Sequence, residues 1–165
     1  MMNLHLIPIT DSNRDEILSL HIADAQEGFV ESVAQCLSEA DKLDLWRPTG
    51  IYDGSLPVGF AMYGLFQNES SEGKLWLDRF LIDEHYQKHG YGKAALAALI
   101  ARIHSEYRNT RIYLSVVVGN NVAAELYQHC GFRFNGEHDI NGEDVMIYDF
   151  ALEAACPLML SSSRT

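Results

Sequence analysis

Cysteine is scarce in this chain and follows no pattern. Cys36, Cys130 and Cys156 are widely spaced, odd in number and form no Cys-x-x-Cys pair. Neither a disulfide framework nor a cysteine zinc site is indicated, and free thiols packed in the interior are expected. Proline is sparse too, with four in 165 residues, which argues against a collagen-like or low-complexity chain. Long apolar runs are missing. The longest, Ala94 to Ala101, is far short of the roughly 20 residues a membrane span needs. The start, Met1-Met2-Asn3-Leu4-His5, lacks the basic-then-apolar pattern of a secretory signal, so a cytoplasmic protein is expected, with no membrane partner. Positive charge is the last deficit: 12 Lys and Arg face 23 Asp and Glu, a net charge of -11. Such a chain repels nucleic-acid phosphates, which argues against a DNA or RNA partner. It attracts small cations if its carboxylates gather in a cleft, although the same charge can serve solubility alone. The seven histidines give no ligand pattern; His85 and His89 are four apart but lie on a loop, so no metal is expected.

What is present is a regular alternation of elements. The length suits one domain, expected over residues 1–150, with a loosely ordered tail over 151–165. Leu4 to Ile9 reads as a strand, after which Asp11 and Ser12 are candidate caps for a helix from Asn13. Phe29, Val33, Cys36, Leu37 and Ala40 recur at helical spacing, predicting a helix from about Gln26 to Ala40 that ends at Trp46-Arg47-Pro48. Strands are predicted over 49–52, 58–66 and 75–82, the first two joined at Asp53-Gly54. Leu96, Leu99, Ile100, Ile103 and Tyr107 form one stripe of a long helix. A β-branched strand (111–118), a helix (120–130) and two strands (132–138 and 144–150) about an Asn141-Gly142 turn complete the chain. The order β-α-α-β-β-β-α-β-α-β-β, with antiparallel hairpins and one crossover helix, predicts a mixed α/β sheet.

One segment between a strand and a long helix carries chemistry: Gln87-Lys88-His89-Gly90-Tyr91-Gly92-Lys93. Two glycines allow the backbone close to an anion, and unpaired N–H groups at the helix start point toward it. The helix dipole, Lys88 and Lys93 add positive charge, so the stretch suits a phosphate or diphosphate. A glycine pair alone can equally be a simple turn. No Gly-Lys-Ser/Thr follows, which separates it from Walker loops.

Gln87-x-x-Gly90-x-Gly92 resembles the first signature of the GNAT superfamily of N-acetyltransferases. Asn120-x-x-Ala123-x-x-Leu126-Tyr127-x-x-x-Gly131-Phe132 resembles its second, at the family's usual separation. The likeness is good over about 58–148 and implies a GNAT fold with acetyl-CoA as cofactor. On that resemblance the loop from Gln87 to Lys93 would hold the diphosphate. The strand end Phe80-Leu81-Ile82 would pair with the pantetheine arm across a splayed gap beside Leu114 to Val116. Asn120 would contact the cofactor and Tyr127 would face the thioester sulfur. Relatives often dimerise, which leaves a homodimer open.

The implied chemistry is physically coherent. An amine attacking a thioester expels a thiolate whose conjugate acid has a pKa near 8.5, and a phenol at about 10 can protonate it. Tyr127 also shares a stripe with Ala123 and Leu126, so a core aromatic is the competing reading. A primary amine is only about one part in two thousand neutral at pH 7, so its proton needs an acceptor. Asp78 is the candidate: strict alternation along 75–80 places it on one face with Trp76 and Phe80, where a bound ammonium would justify an acid among rings. A salt bridge to a neighbouring Arg is the alternative.

Leu77-Asp78-Arg79-Phe80-Leu81-Ile82, Phe29-Val30-Glu31-Ser32 with Cys36-Leu37, Val58 to Gly64 and Asn135-Gly136-Glu137 resemble bacterial spermine/spermidine acetyltransferases. A small cationic amine is the implied substrate. One departure stands out, because other polyamine acetyltransferases carry two adjacent acids where this chain has Asp78-Arg79. Asp24, Glu27 and Glu31 fall at i, i+3 and i+7, one stripe if the helix reaches back to Asp24. They can bind a row of ammonium groups or form a solvated face, Glu31 being the stronger candidate beside Glu27. Trp46 and Tyr52 can line a cleft or simply pack. Other amines (an amino acid, an aminoglycoside, a protein N-terminus) and a non-catalytic CoA-binding sensor remain alternatives.

Overall fold

A computed structural model describes residues 1–23, 31–67 and 71–154. Its strands are β1 (Leu4–Pro8), β2 (Trp46–Asp53), β3 (Leu56–Phe66), β4 (Lys74–Ile82), β5 (Arg111–Val116), β6 (Arg133–His138) and β7 (Asp144–Asp149). The helices are α1 (Arg14–Leu18), α2 (Val33–Lys42), α3 (Tyr91–Tyr107), α4 (Asn121–His129) and α5 (Phe150–Ala154). The seven strands form one sheet in the order β1-β2-β3-β4-β5-β7-β6. Neighbours are antiparallel except β4 and β5, which α3 joins as a parallel pair. A crossover helix is what a parallel connection requires. The expected order of elements and the mixed α/β sheet are therefore observed.

Two cores follow from the two faces. On one, Ala95, Leu96, Leu99, Ile100 and Ile103 of α3 bury against Ile51, Ala61, Tyr63, Leu77 and Leu114. Each such large aliphatic side chain contributes about 1.5–3 kcal/mol when fully buried. Leu126 and Tyr127 of α4 pack against the same cluster. On the other face, Ile17 of α1 and Val33, Cys36 and Leu37 of α2 cover Tyr52, Phe60, Met62 and Leu81.

Several expectations need correction. The second helix does not run through Glu31 and Ser32. Ser32 has extended backbone (φ -63°, ψ 150°) and its side chain accepts the Gln35 N–H at 3.2 Å, an N-cap that starts α2 at Val33. The predicted start at Gln26, together with Asp24 and Glu27, lies outside the described residues. Trp46-Arg47-Pro48 opens β2 rather than ending a helix. For the first helix the cap position is Asn13, whose amide instead closes the preceding turn, accepting Thr10 N–H at 2.8 Å and donating to Pro8 O at 3.1 Å. The tail begins as the short helix α5, and its remainder, Cys156 included, lies outside the described residues.

Candidate active site

The site is set by what β4 does to its neighbours. Met62 of β3 pairs with Arg79 and Tyr63 with Leu77, so Asp78 is an extra residue, a β-bulge. The bulge reverses the alternation. Phe80 pairs with Ala61 and Trp76 with Gly64, positions of opposite parity on β3, so Trp76 and Phe80 lie on opposite faces. The expected shared face of Trp76, Asp78 and Phe80 does not exist. Phe80 packs with the α3 core, whereas Trp76 meets the Tyr113 ring at 5.4 Å. On the other side β4 touches β5 through a single pairing, Trp76 with Tyr113, beyond which the strands separate toward Ile82. This is the expected splay.

The glycine loop sits at the mouth of that gap. Asp83 begins a 3-10 turn (Glu84–Tyr86), with its carboxylate accepting the His85 N–H at 2.9 Å. Gln87 then donates to the Ile82 carbonyl at 2.9 Å. Lys88 (φ 62°) and Gly90 (φ 86°) are both left-handed, which turns the chain sharply into α3. At Gly90 conformation rather than space demands glycine, since an added Cβ would meet only the Met2 Cε, at 3.4 Å. Gly92 serves close approach instead, because its Cβ would stand 3.3 Å from Leu126 Cδ2 of α4. The first in-helix bond of α3 is Ala94 N–H to Gly90 O at 3.2 Å. The amides of Tyr91, Gly92 and Lys93 precede it and have no acceptor in the helix.

A cleft of about 950 Å³ opens between these elements. Phe80, Leu81, Ile82, Gln87, Lys88, Gly90, Gly92, Lys93, Asn120 and Tyr127 all line it, and so do Asp78 and Glu31. Asn120 caps α4, its side chain accepting the Ala123 N–H at 3.4 Å. Tyr127 is held by Phe80 and Phe132, at ring separations of 6.4 and 5.9 Å, and its carbonyl accepts the Phe132 N–H at 3.0 Å. Burial, with the Cys130 thiol beside it, pushes the phenol well above its ordinary pKa. Among the described residues its hydroxyl has no hydrogen-bond partner, so at neutral pH it is a protonated donor with its proton uncommitted.

At the far side the charges are paired. Arg79, only 15% exposed, forms ion pairs with Asp78 through Nη1 and with Glu31 and Glu39 through Nη2, the last at 3.2 Å. Its Nε is buried without a partner among the described residues. Cys36 lies against the same guanidinium, and burial pushes its thiol up to about 11 although the guanidinium opposes the shift.

A profile of the Acetyltransferase (GNAT) family matches residues 13–132. The chain belongs to the GNAT family. Among GNAT relatives, a spermine/spermidine N(1)-acetyltransferase from Bacillus subtilis is 47% identical over 150 residues, covering 88% of this chain and 98% of the relative. A spermidine N-acetyltransferase from Vibrio cholerae, solved with CoA and spermine, has a TM-score of 0.68 at 21% identity, covering 90% of this chain and 96% of that one. An aminoglycoside N(6')acetyltransferase from Legionella pneumophila reaches a TM-score of 0.75 at 12% identity, covering 94% and 96%. At those identities the two structures speak for the fold alone.

Within this GNAT chain three expected residues are not among those that line the cleft, although the Tyr91 amide remains open at the start of α3. His89 and Trp76 do not line it. Tyr91 instead donates to Asp53 Oδ2 at 2.5 Å, tying the start of α3 to β2. Tyr52 is a core residue bonded to Glu16 at 3.2 Å, its phenol pushed up to about 12 by burial and that carboxylate, whereas Trp46 does reach the cleft. Sequence reasoning missed Glu39, whereas the alternative it held for Asp78, a salt bridge to a neighbouring Arg, is the contact observed with Arg79. Among the described residues no three His, Cys, Asp or Glu side chains gather to hold a metal ion, and no helix is long and apolar enough to cross a membrane.

Proposed function

We propose that this chain is an acetyl-CoA-dependent N-acetyltransferase acting on a primary amine of a polyamine such as spermidine or spermine, with both reactants in one cleft. The observation that carries the reading is that cleft itself, which joins the open amide end of α3 to a cluster of carboxylates with the Tyr127 phenol on the same wall. The cleft fits a coenzyme A: its volume, the splayed β4–β5 edge and a cationic, glycine-opened helix start match an extended, diphosphate-bearing molecule. Lys88, Gly90, Gly92 and Lys93 would hold the diphosphate, Gln87 would brace the loop, and the β4 end over 80–82 would pair with the arm. Bound there, acetyl-CoA supplies an acetyl group activated as a thioester.

Tyr127 protonates the departing sulfur. Burial keeps the phenol protonated at neutral pH, although it also makes it a weaker acid toward the thiolate, and a positioned donor of this kind is worth about 10²–10⁴-fold in rate. Asp78 and Glu31 anchor the substrate's ammonium groups. Because Asp78 is already engaged by Arg79, it serves as an anchor, and the proton lost by the attacking amine leaves through water. The protein works in the cytoplasm on this reading, with residues 1–150 as one catalytic domain. The relatives' polyamine activity supports the substrate class, as does the surplus of carboxylates at the far side of the cleft. A panel of amines with acetyl-CoA, read as release of the CoA thiol, tests it. Spermidine and spermine are expected to have the highest kcat/KM, and a preference for an amino acid or an aminoglycoside would overturn the substrate assignment.

A further inference from the structure

The guanidinium of Arg79 is unusually placed for a residue lining a cation site. It stands among three carboxylates, from the β4 bulge (Asp78), the approach to α2 (Glu31) and α2 itself (Glu39). All three carboxylates line the cleft and remain partly open, at 28%, 42% and 38% exposure, so an incoming ammonium can reach them. The cluster carries three negative charges against one positive. The guanidinium is incompletely satisfied, because its Nε is buried with no acceptor among the described residues. A buried donor left unpaired makes this pose less favourable than a fully bonded one, and so easier to displace. Nothing else among the described residues competes for these carboxylates.

We propose that Arg79 is a specificity-determining residue: an internal cation that occupies the amine site and sets how many substrate charges the carboxylates can accept. This rests on the polyamine reading above. A substrate with several ammonium groups displaces the Nη2 contacts to Glu31 and Glu39, while Nη1 keeps Asp78 on the bulge. With Arg79 present the cluster offers two uncompensated negative charges, and without it three.

The test is a charge series: butylamine, putrescine, spermidine and spermine, with one to four amino groups, assayed with the wild type, Arg79→Gln and Arg79→Lys. In Arg79→Gln the KM for spermine is expected to fall roughly tenfold and that for butylamine hardly at all, as removing one unit charge beside a partly solvated site requires. The kcat values and the KM for acetyl-CoA should stay within about twofold. Arg79→Lys keeps the charge and should restore the wild-type ranking. A rise in KM for all four amines alike would overturn the proposal and make Arg79 a structural clamp, and an unchanged ranking would overturn it too. Should Arg79→Gln not fold, Glu39→Gln replaces it. Loss of that exposed carboxylate should weaken spermine more than putrescine, and equal effects would count against the proposal. If the wild type acetylates none of the series, the function assignment fails. The ranking is then read from calorimetric Kd values, where the same order is expected and its absence overturns the role of Arg79.

Discussion

The two ends of the cleft are made of different material. The end proposed for the cofactor is backbone: open amides at the start of α3, a left-handed Gly90, and a strand edge exposed by the splay of β4 from β5. The end proposed for the amine is side chain: Asp78, Arg79, Glu31 and Glu39, brought together from a bulge, a helix and the approach to that helix. Backbone donors keep their position whatever side chains surround them, so the first end suits a part that never varies, a diphosphate. Side chains can be exchanged one at a time, so the second end suits the part on which relatives differ. Asp83 links the segment after α1 to the turn before the glycine loop, its buried carboxylate accepting the N–H of His21 at 2.8 Å on one side and the His85 N–H and ring at 2.9 and 2.8 Å on the other.

If this division holds, substitutions at each end should change different constants. Tyr127→Phe should have the largest effect, lowering kcat by about 10²-fold or more with both KM values nearly unchanged, measured as CoA thiol release. Because burial raises this phenol, the wild-type rate should show no loss from its ionisation below about pH 10. Asp78→Asn should raise the KM for spermidine about tenfold, the scale of one charge-assisted hydrogen bond, and leave the KM for acetyl-CoA alone. A change in the acid limb of the kcat profile as well would make Asp78 the base rather than an anchor. Gly90→Ala should do the reverse. Holding alanine at a φ of 86° costs roughly 1–2 kcal/mol, enough to raise the KM for acetyl-CoA severalfold while the amine KM stays put.

The smallest effect tests the link. Burial alone would raise the Asp83 pKa, but the hydrogen bonds from His21 and His85, with the His85 charge, outweigh it and hold the carboxylate below its ordinary value. A carboxylate depressed in the folded state stabilises above its unfolded pKa, near 3.9, and loses that contribution as pH falls through the folded value. Asp83→Asn should therefore lower Tm by a few degrees at pH 7 and flatten its decline below about pH 4, as followed by thermal melts. Both KM values should rise slightly together, unlike the end-specific changes above.

This contrast also explains what the sequence disclosed. Gly90, Gly92, Asn120 and Tyr127 could be read because each answers a local demand: a left-handed turn, a close helix approach, a cap, a ring on a helix stripe. Helix α3 and the crossover were legible for the same reason, being written in periodicity. The amine end was not, because the bulge at Asp78 leaves no mark in the alternation of Leu75 to Phe80. That one extra residue moves Trp76 and Phe80 to opposite faces and brings Arg79 beneath α2. The contact of Glu39 with Arg79 spans 40 residues, a distance no local pattern carries. The Tyr91 ring is another contact that no local pattern carries, since it is held by Asp53, 38 residues earlier.

The most direct measurement is a backbone amide NMR titration of the protein with CoA in the absence of amine. The largest shifts are expected at the amides from Lys88 to Lys93, with smaller ones along 80–82 and at Val116 and Val117, and almost none at Glu39. Shifts centred on the carboxylate cluster, with the start of α3 unmoved, would contradict the account.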